Sequence, residues 1–129
     1  MRLLLLTPQL PYPPHQGTTI RNYNLIAGLS RRHQIRLLSL VTAGDDLSSA
    51  EPLSQVCERI DVVPQPERTI GQRLRTLLTS PLPDMAHRLA SRVFEHTLTR
   101  ILAEDRFDIV EFEGIEMIPY LPVLLRHIR

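Results

Sequence analysis

Two short segments of this sequence contain the residues best suited to bind a ligand. The first, Gly17-Thr18, follows a proline-rich loop and stands at the start of a predicted helix. The first N–H groups of a helix and the positive end of its dipole attract anions, and phosphates commonly bind there. Glycine also lets a ligand approach the backbone closely. Because Gly17 fits an ordinary turn equally well, the pattern leaves both interpretations open.

The second segment, Glu111-Phe112-Glu113, ends an apolar run that begins at Phe107. Residues two apart in a β-strand share a face, so these two carboxylates would be near neighbours. A glycosidase instead needs two carboxylates that face each other across the substrate. The pair therefore favours a position beside a ligand crevice over a glycosidase site.

Four apolar runs predict the strands that position both segments: residues 2–7, 35–41, 60–63 and 108–112. The first run contains four consecutive leucines, Leu3–Leu6, which suit a strand buried on both faces of a parallel sheet. Strands that alternate with helical stretches predict βαβ units. We therefore expect an α/β, Rossmann-like parallel sheet in the order 3-2-1-4 with flanking helices. In such a sheet, the carboxyl ends of the first and fourth strands bring Gly17 and Glu113 to one crevice.

Five helical segments are predicted between and after these strands. The first is capped by Thr18 or Thr19 and runs to about Ser30. Ser91 caps the fourth, which runs to about Asp105. The remaining three cover residues 52–58, 69–79 and 117–125. Pro119 and Pro122 break the last of them, and the segment Ser80-Pro81-Leu82-Pro83 ends the helix over 69–79.

The helix over 69–79 is amphipathic. It carries its apolar residues, Ile70, Leu74, Leu77 and Leu78, on one face. The arginines at positions 68, 73 and 75 lie largely elsewhere. They fit either a solvated helix face or a contact with anionic lipid or a lipid-linked acceptor. The sequence thus leaves peripheral membrane contact open.

Length, charge and cysteine content exclude several classes of protein. The chain's 129 residues are enough for one domain with a core. A formal net charge of +1 gives no reason to expect a nucleic-acid partner. The single Cys57 excludes an internal disulfide and a cysteine metal cluster, and neither a metal nor a cofactor is predicted. Because the sequence lacks a signal-peptide pattern and a long apolar window, we expect a cytoplasmic location.

An ordered set of motifs carries a resemblance to a known family. The motifs are Pro11-Tyr12-Pro13-Pro14, Gly17, Ile20-Arg21-x-Tyr23, Leu25-x-x-x-Leu29, Arg32-His33 with a following strand, and the segment from Phe107 to Tyr120. In this order and at this separation, they resemble the N-terminal domain of the retaining glycosyltransferases of the GT-B fold. The similarity is to the large family 4, which includes many bacterial cell-surface sugar transferases. It covers the chain from Leu3 to about Tyr120.

The resemblance implies the acceptor-side half of an enzyme that moves a sugar from a nucleotide-diphosphate-sugar donor to a hydroxyl acceptor, with retention. The acceptor would be a sugar or a lipid-linked molecule. Gly17 and Thr18 match the loop that approaches the donor diphosphate. Arg21, one turn into the helix, either reaches an acidic group to serve substrate binding or is a surface arginine. Glu113 and Glu116 match the loop that faces the transferred sugar or the acceptor; many relatives have a histidine near here, so no catalytic residue is carried over.

The resemblance also implies that residues 1–129 form an apparently truncated N-terminal GT-B domain. A second Rossmann-like domain, which holds most of the donor, would follow, and this fragment alone would have little or no turnover. Such an enzyme would be cytoplasmic, with peripheral attachment at the inner face of the membrane as a further expectation. The alternative is a non-catalytic Rossmann-like module that binds a nucleotide or a partner. A flavodoxin-like or receiver domain is disfavoured, since the acidic pocket after the first strand is missing.

Overall fold

Four parallel strands form one sheet in the computed structural model, which describes residues 1–45, 47–67, 69–81 and 88–127. They are β1 (Arg2–Thr7), β2 (Gln34–Val41), β3 (Arg59–Pro64) and β4 (Ile109–Phe112). The strand order is β3-β2-β1-β4, with every pair parallel. The predicted α/β class, the order and the direction of the strands are confirmed. Each strand boundary differs from its predicted position by at most one residue.

Helices lie on both faces of the sheet. They are α1 (Gly17–Leu29), α2 (Glu51–Ser54), α3 (Ile70–Thr79), α4 (Arg92–Glu104) and α5 (Leu121–His127), with 3₁₀ helices at Leu47–Ala50 and Ile115–Tyr120. As predicted, Ser91 caps α4, and its hydroxyl oxygen accepts the Phe94 N–H at 3.3 Å. Arg68 and Leu82–Pro83, which the sequence singled out, lie outside the described residues.

Three helix predictions require correction. The N-cap of α1 is Gln16, not a threonine; its N–H donates to the Thr19 hydroxyl oxygen at 3.0 Å, because Thr19 already lies inside the first turn. The helix α2 stops at Ser54, where a turn lets Cys57 enter the core. The predicted break at Pro119 in the helix over 117–125 is confirmed, because Pro119 lies in a 3₁₀ helix that precedes α5, but Pro122 lies in the first turn of α5 and does not break it.

The central position of β1 follows from its leucines, which supply apolar side chains to both faces. On one face, Leu3 and Leu5 pack in a cluster with Ile26 of α1. On the other, Leu4 and Leu6 pack in a cluster with residues of α4 and α5. The helices thereby anchor the loops at the carboxyl edge of the sheet, including the start of α1.

A buried arginine links β2 to β3 and to the segment before β4. The Arg36 side chain is only 2% exposed, and its guanidinium donates to Asp61 at 2.8 Å and to Asp105 at 2.5 Å. Burial lowers the pKa of Arg36, but the hydrogen bonds to the two carboxylates outweigh it and leave the pKa raised. The network thus keeps a cation inside the amino edge of the sheet, away from the carboxyl-edge loops.

Acid is expected to destabilise the fold in part through Asp105. The hydrogen bond from Arg36 holds the pKa of Asp105 below its usual value, although partial burial opposes this. A carboxyl group with a depressed folded-state pKa stabilises the fold above its unfolded pKa of about 3.9, and this contribution is lost as the pH falls through the folded pKa. Urea unfolding between pH 7 and pH 2 should therefore show a shallower acid slope in Asp105→Asn than in the native chain.

The exposed Glu67 provides a control for this measurement. Its replacement, Glu67→Gln, should retain the native acid slope. An unchanged slope in Asp105→Asn would show that Asp105 does not couple to folding in this way.

Candidate ligand-binding site

The two predicted segments meet where the order of the strands reverses. From β1 the chain adds β2 and then β3 on one side, and β4 returns to the other side of β1. Open α/β sheets bind ligands at the carboxyl edge of such a switch point. Glu113 follows β4 directly there, and its N–H donates to the Leu6 carbonyl oxygen at 2.9 Å. On the neighbouring strand β1, the chain continues through the proline-rich loop to Gly17, at the start of α1.

An ion pair between Arg21 and Glu113 crosses this switch point. The Arg21 guanidinium donates to a carboxylate oxygen of Glu113. The Glu113 side chain is 7% exposed, whereas that of Arg21 is 66% exposed. Arg21 also donates to the Asn22 side-chain oxygen at 3.4 Å. A buried carboxylate thus holds an arginine whose outer side faces solvent, where it can meet an anion or a hydroxyl group.

Gly17 and Thr18 are exposed at the first turn of α1. Their N–H groups lie among those that a helix leaves without a partner inside the helix. Gly17 does not have a left-handed backbone, and a Cβ atom built on it would meet no atom within 4 Å. Neither backbone conformation nor packing therefore requires glycine at this position. Arg21 lies four residues further on, on the same side of the helix.

Gly114 shapes the loop that carries the two predicted glutamates, and sequence reasoning missed it. Its φ of 102° and ψ of 153° lie in a region that is essentially restricted to glycine. A Cβ atom here would stand 2.7 Å from a carboxylate oxygen of Glu116. The available signal was a glycine placed directly after Glu113, at the end of a strand.

Glu116 belongs to a second ion pair of the same loop. Its carboxylate lies 3.7 Å from the guanidinium of Arg88, and its side chain is 15% exposed. Glu111, by contrast, is exposed on the edge strand β4. Arg21 therefore pairs with Glu113, whereas Glu116 pairs with Arg88.

A pocket of about 190 Å³ lies at the start of α1, between the loops that follow β1 and β2. It is lined by Gln9, Leu10, Tyr12, Pro13, His15, Gln16, Thr19, Thr42 and Asp45. Pockets for drug-sized ligands have volumes of roughly 300–1,000 Å³, so this one suits only part of such a ligand. Sequence reasoning missed Thr42 and Asp45; the Thr42 N–H donates to a carboxylate oxygen of Asp45 at 2.7 Å and so shapes the loop after β2.

Among the described residues, no group of three or more histidine, cysteine, aspartate or glutamate side chains is arranged to hold a metal ion. No helix in that part of the chain is long and apolar enough to cross a membrane. Comparison with protein-family models, curated protein sequences and solved structures found no match.

Proposed function

We propose that this chain is the acceptor-side half of a retaining GT-B glycosyltransferase of the family 4 type. The reaction would move a sugar from a nucleotide-diphosphate-sugar donor to a hydroxyl group of a sugar or lipid-linked acceptor. The observation that best supports the proposal is the Arg21–Glu113 pair at the β1–β4 switch point, beside the exposed start of α1. The motif resemblance supplies the reaction class.

Each residue at this edge has a role suited to its chemistry. The N–H groups of Gly17 and Thr18, with the helix dipole, would stabilise negative charge on the donor diphosphate as the bond to the sugar breaks. Arg21 would donate to the diphosphate or to substrate hydroxyl groups, while the buried Glu113 fixes its position. Glu116, in the same loop, would face the acceptor.

The size of the nearby pocket agrees with a divided substrate site. At about 190 Å³, it cannot enclose a whole nucleotide sugar. In the proposed enzyme, most donor contacts come from a second Rossmann-like domain, and this half supplies one wall of the cleft. We therefore expect titration calorimetry of residues 1–129 with UDP- and GDP-sugars to show at most weak heats.

The proposal is tested with the full-length gene product. Incubated with labelled UDP- or GDP-sugars and hydroxyl acceptors, it should form a glycoside whose anomeric configuration, measured by NMR, matches that of the donor. The double variant Arg21→Gln/Glu113→Gln removes both charges without leaving one of them buried alone, and it should lose most of this transfer. Arg31→Gln/Arg32→Gln, in the exposed turn after α1, is the matched control and should retain it.

Three results would count against the proposal. They are a product of inverted configuration, no transfer from any donor, and full activity in the well-folded double variant. Tight, stoichiometric binding of a nucleotide sugar to residues 1–129 alone would instead indicate that the roles of the two halves are reversed. Binding without any transfer by the full-length product would favour the non-catalytic module.

A further inference from the structure

The helix α3 presents its apolar face to solvent. Ile70 is 85% exposed, Leu74 58%, Leu77 70% and Leu78 78%, and no residue of α3 is buried. The periodicity of α3 was correctly identified from the sequence, yet the sheet does not use this face for its core. A row of exposed large aliphatic side chains of this kind marks an interaction surface.

The charges on α3 indicate what chemistry this surface would meet. At 3.6 residues per turn, the four aliphatic side chains fall within an arc of roughly 100°. Arg73 and Arg75 project on opposite borders of this arc, and the polar side chains of Gln72, Thr76 and Thr79 lie opposite it. The segment from Thr69 to Pro81 contains no aspartate or glutamate. An apolar stripe bordered by cations on both sides suits a surface that is apolar inside and anionic at its boundary.

We propose that α3 docks flat on an anionic lipid surface. Its aliphatic stripe enters the boundary between headgroups and acyl chains, and Arg73 and Arg75 contact lipid phosphates on either side. A second protein copy is a poorer occupant, because pairing two such helices would bring their arginines together without carboxylates from α3 to compensate. This inference does not depend on the proposed glycosyl transfer, since it concerns a different surface.

The test uses the 129-residue chain and sucrose-loaded vesicles. The chain should sediment with vesicles that contain 30% phosphatidylglycerol in phosphatidylcholine, and much less with pure phosphatidylcholine. The pair Arg73→Gln/Arg75→Gln should weaken the vesicle affinity roughly 30-fold, since each cation near an anionic surface contributes about a fivefold factor. The pair Leu74→Ser/Leu77→Ser should weaken it on the order of 100-fold. Because these side chains are exposed, circular dichroism should show unchanged melting.

Matched controls test whether vesicle binding depends on the α3 surface or on any exposed charge and apolar side chain. Arg31→Gln/Arg32→Gln removes two exposed arginines elsewhere, and Val93→Ser removes a valine of α4 that is 61% exposed. Neither should alter vesicle binding. The chain has no tryptophan, so Leu78→Trp gives a single reporter whose emission should shift to the blue when vesicles bind.

Several outcomes would overturn the inference. These are equal binding to neutral and anionic vesicles, no binding to either, and equal losses in the α3 variants and their controls. Concentration-dependent dimers in lipid-free sedimentation velocity that disappear in Leu74→Ser/Leu77→Ser would identify a second copy as the occupant instead.

Discussion

Replacing Gly17 with valine is expected to lower the kcat/KM of the full-length gene product about 100-fold, while the melting temperature moves by only a few degrees. Loss of a preorganised electrostatic donor to a developing negative charge typically lowers kcat 10²–10³-fold. A valine side chain above the first turn of α1 would keep the donor diphosphate away from the Gly17 and Thr18 N–H groups. Parallel kinetics and thermal melting measure the two quantities.

The structure removes the main competing explanation for such a loss. A β-branched residue at a left-handed position would strain the backbone by about 1–3 kcal/mol and could unfold a marginal domain. Gly17 is not left-handed, and a Cβ atom there meets no neighbour within 4 Å. The control is Gly28→Val, the same change at an exposed glycine near the other end of α1, which also has free space around it. Normal kcat/KM in a well-folded Gly17→Val protein would show that Gly17 has only a structural role in the turn.

Uniform apolar runs made the sheet predictable. Because the side chains of Leu3–Leu6 point to both faces of the strand, they are buried only if both faces are covered. This places β1 in the centre with neighbours on each side. The start of α1 was less predictable, because two threonines with good capping chemistry follow Gln16, and sequence cannot decide which residue adopts the extended backbone. The exposed face of α3 could not be predicted either, since a 3.6-residue period shows that a face exists but not what covers it.

The site was predictable where spacing alone brings residues together. Arg21 lies one turn into α1 and Glu113 one residue beyond β4, so the strand order places them side by side, where they form an ion pair. Gly114 was missed because its positive φ arises from the path of the loop, not from a local pattern. Arg36 was missed as a structural centre because its carboxylate partners lie 25 and 69 residues away in sequence.

Removing the carboxylate of Asp61 should have the largest effect on stability. In Asp61→Leu, the guanidinium of Arg36, 2% exposed, would lose its partner at 2.8 Å and keep only the more exposed Asp105 and Glu104. Removing the partner of a buried charge lowers the free energy of unfolding by about 3–5 kcal/mol when no other counter-charge remains. Because Arg36 keeps Asp105, we expect a loss near the lower end of this range. Urea unfolding followed by circular dichroism measures this loss. Asp61 also lies 3.6 Å from Arg100, which is 49% exposed, so Arg100→Gln should reduce stability by less than about 1 kcal/mol.

A second variant distinguishes the lost attraction between Arg36 and Asp61 from the cost of burying Arg36 without that partner. Arg36→Met/Asp61→Leu removes both ions and fills their space with apolar atoms, a change that is often neutral or stabilising for buried pairs. Asp105 would still pair with Arg2 at 3.1 Å, and the Asp105 side chain is 26% exposed to water. The double variant should therefore be clearly more stable than Asp61→Leu alone. If the two are equally unstable, the loss arises from altered packing of β2 against β3 and not from the missing partner of Arg36.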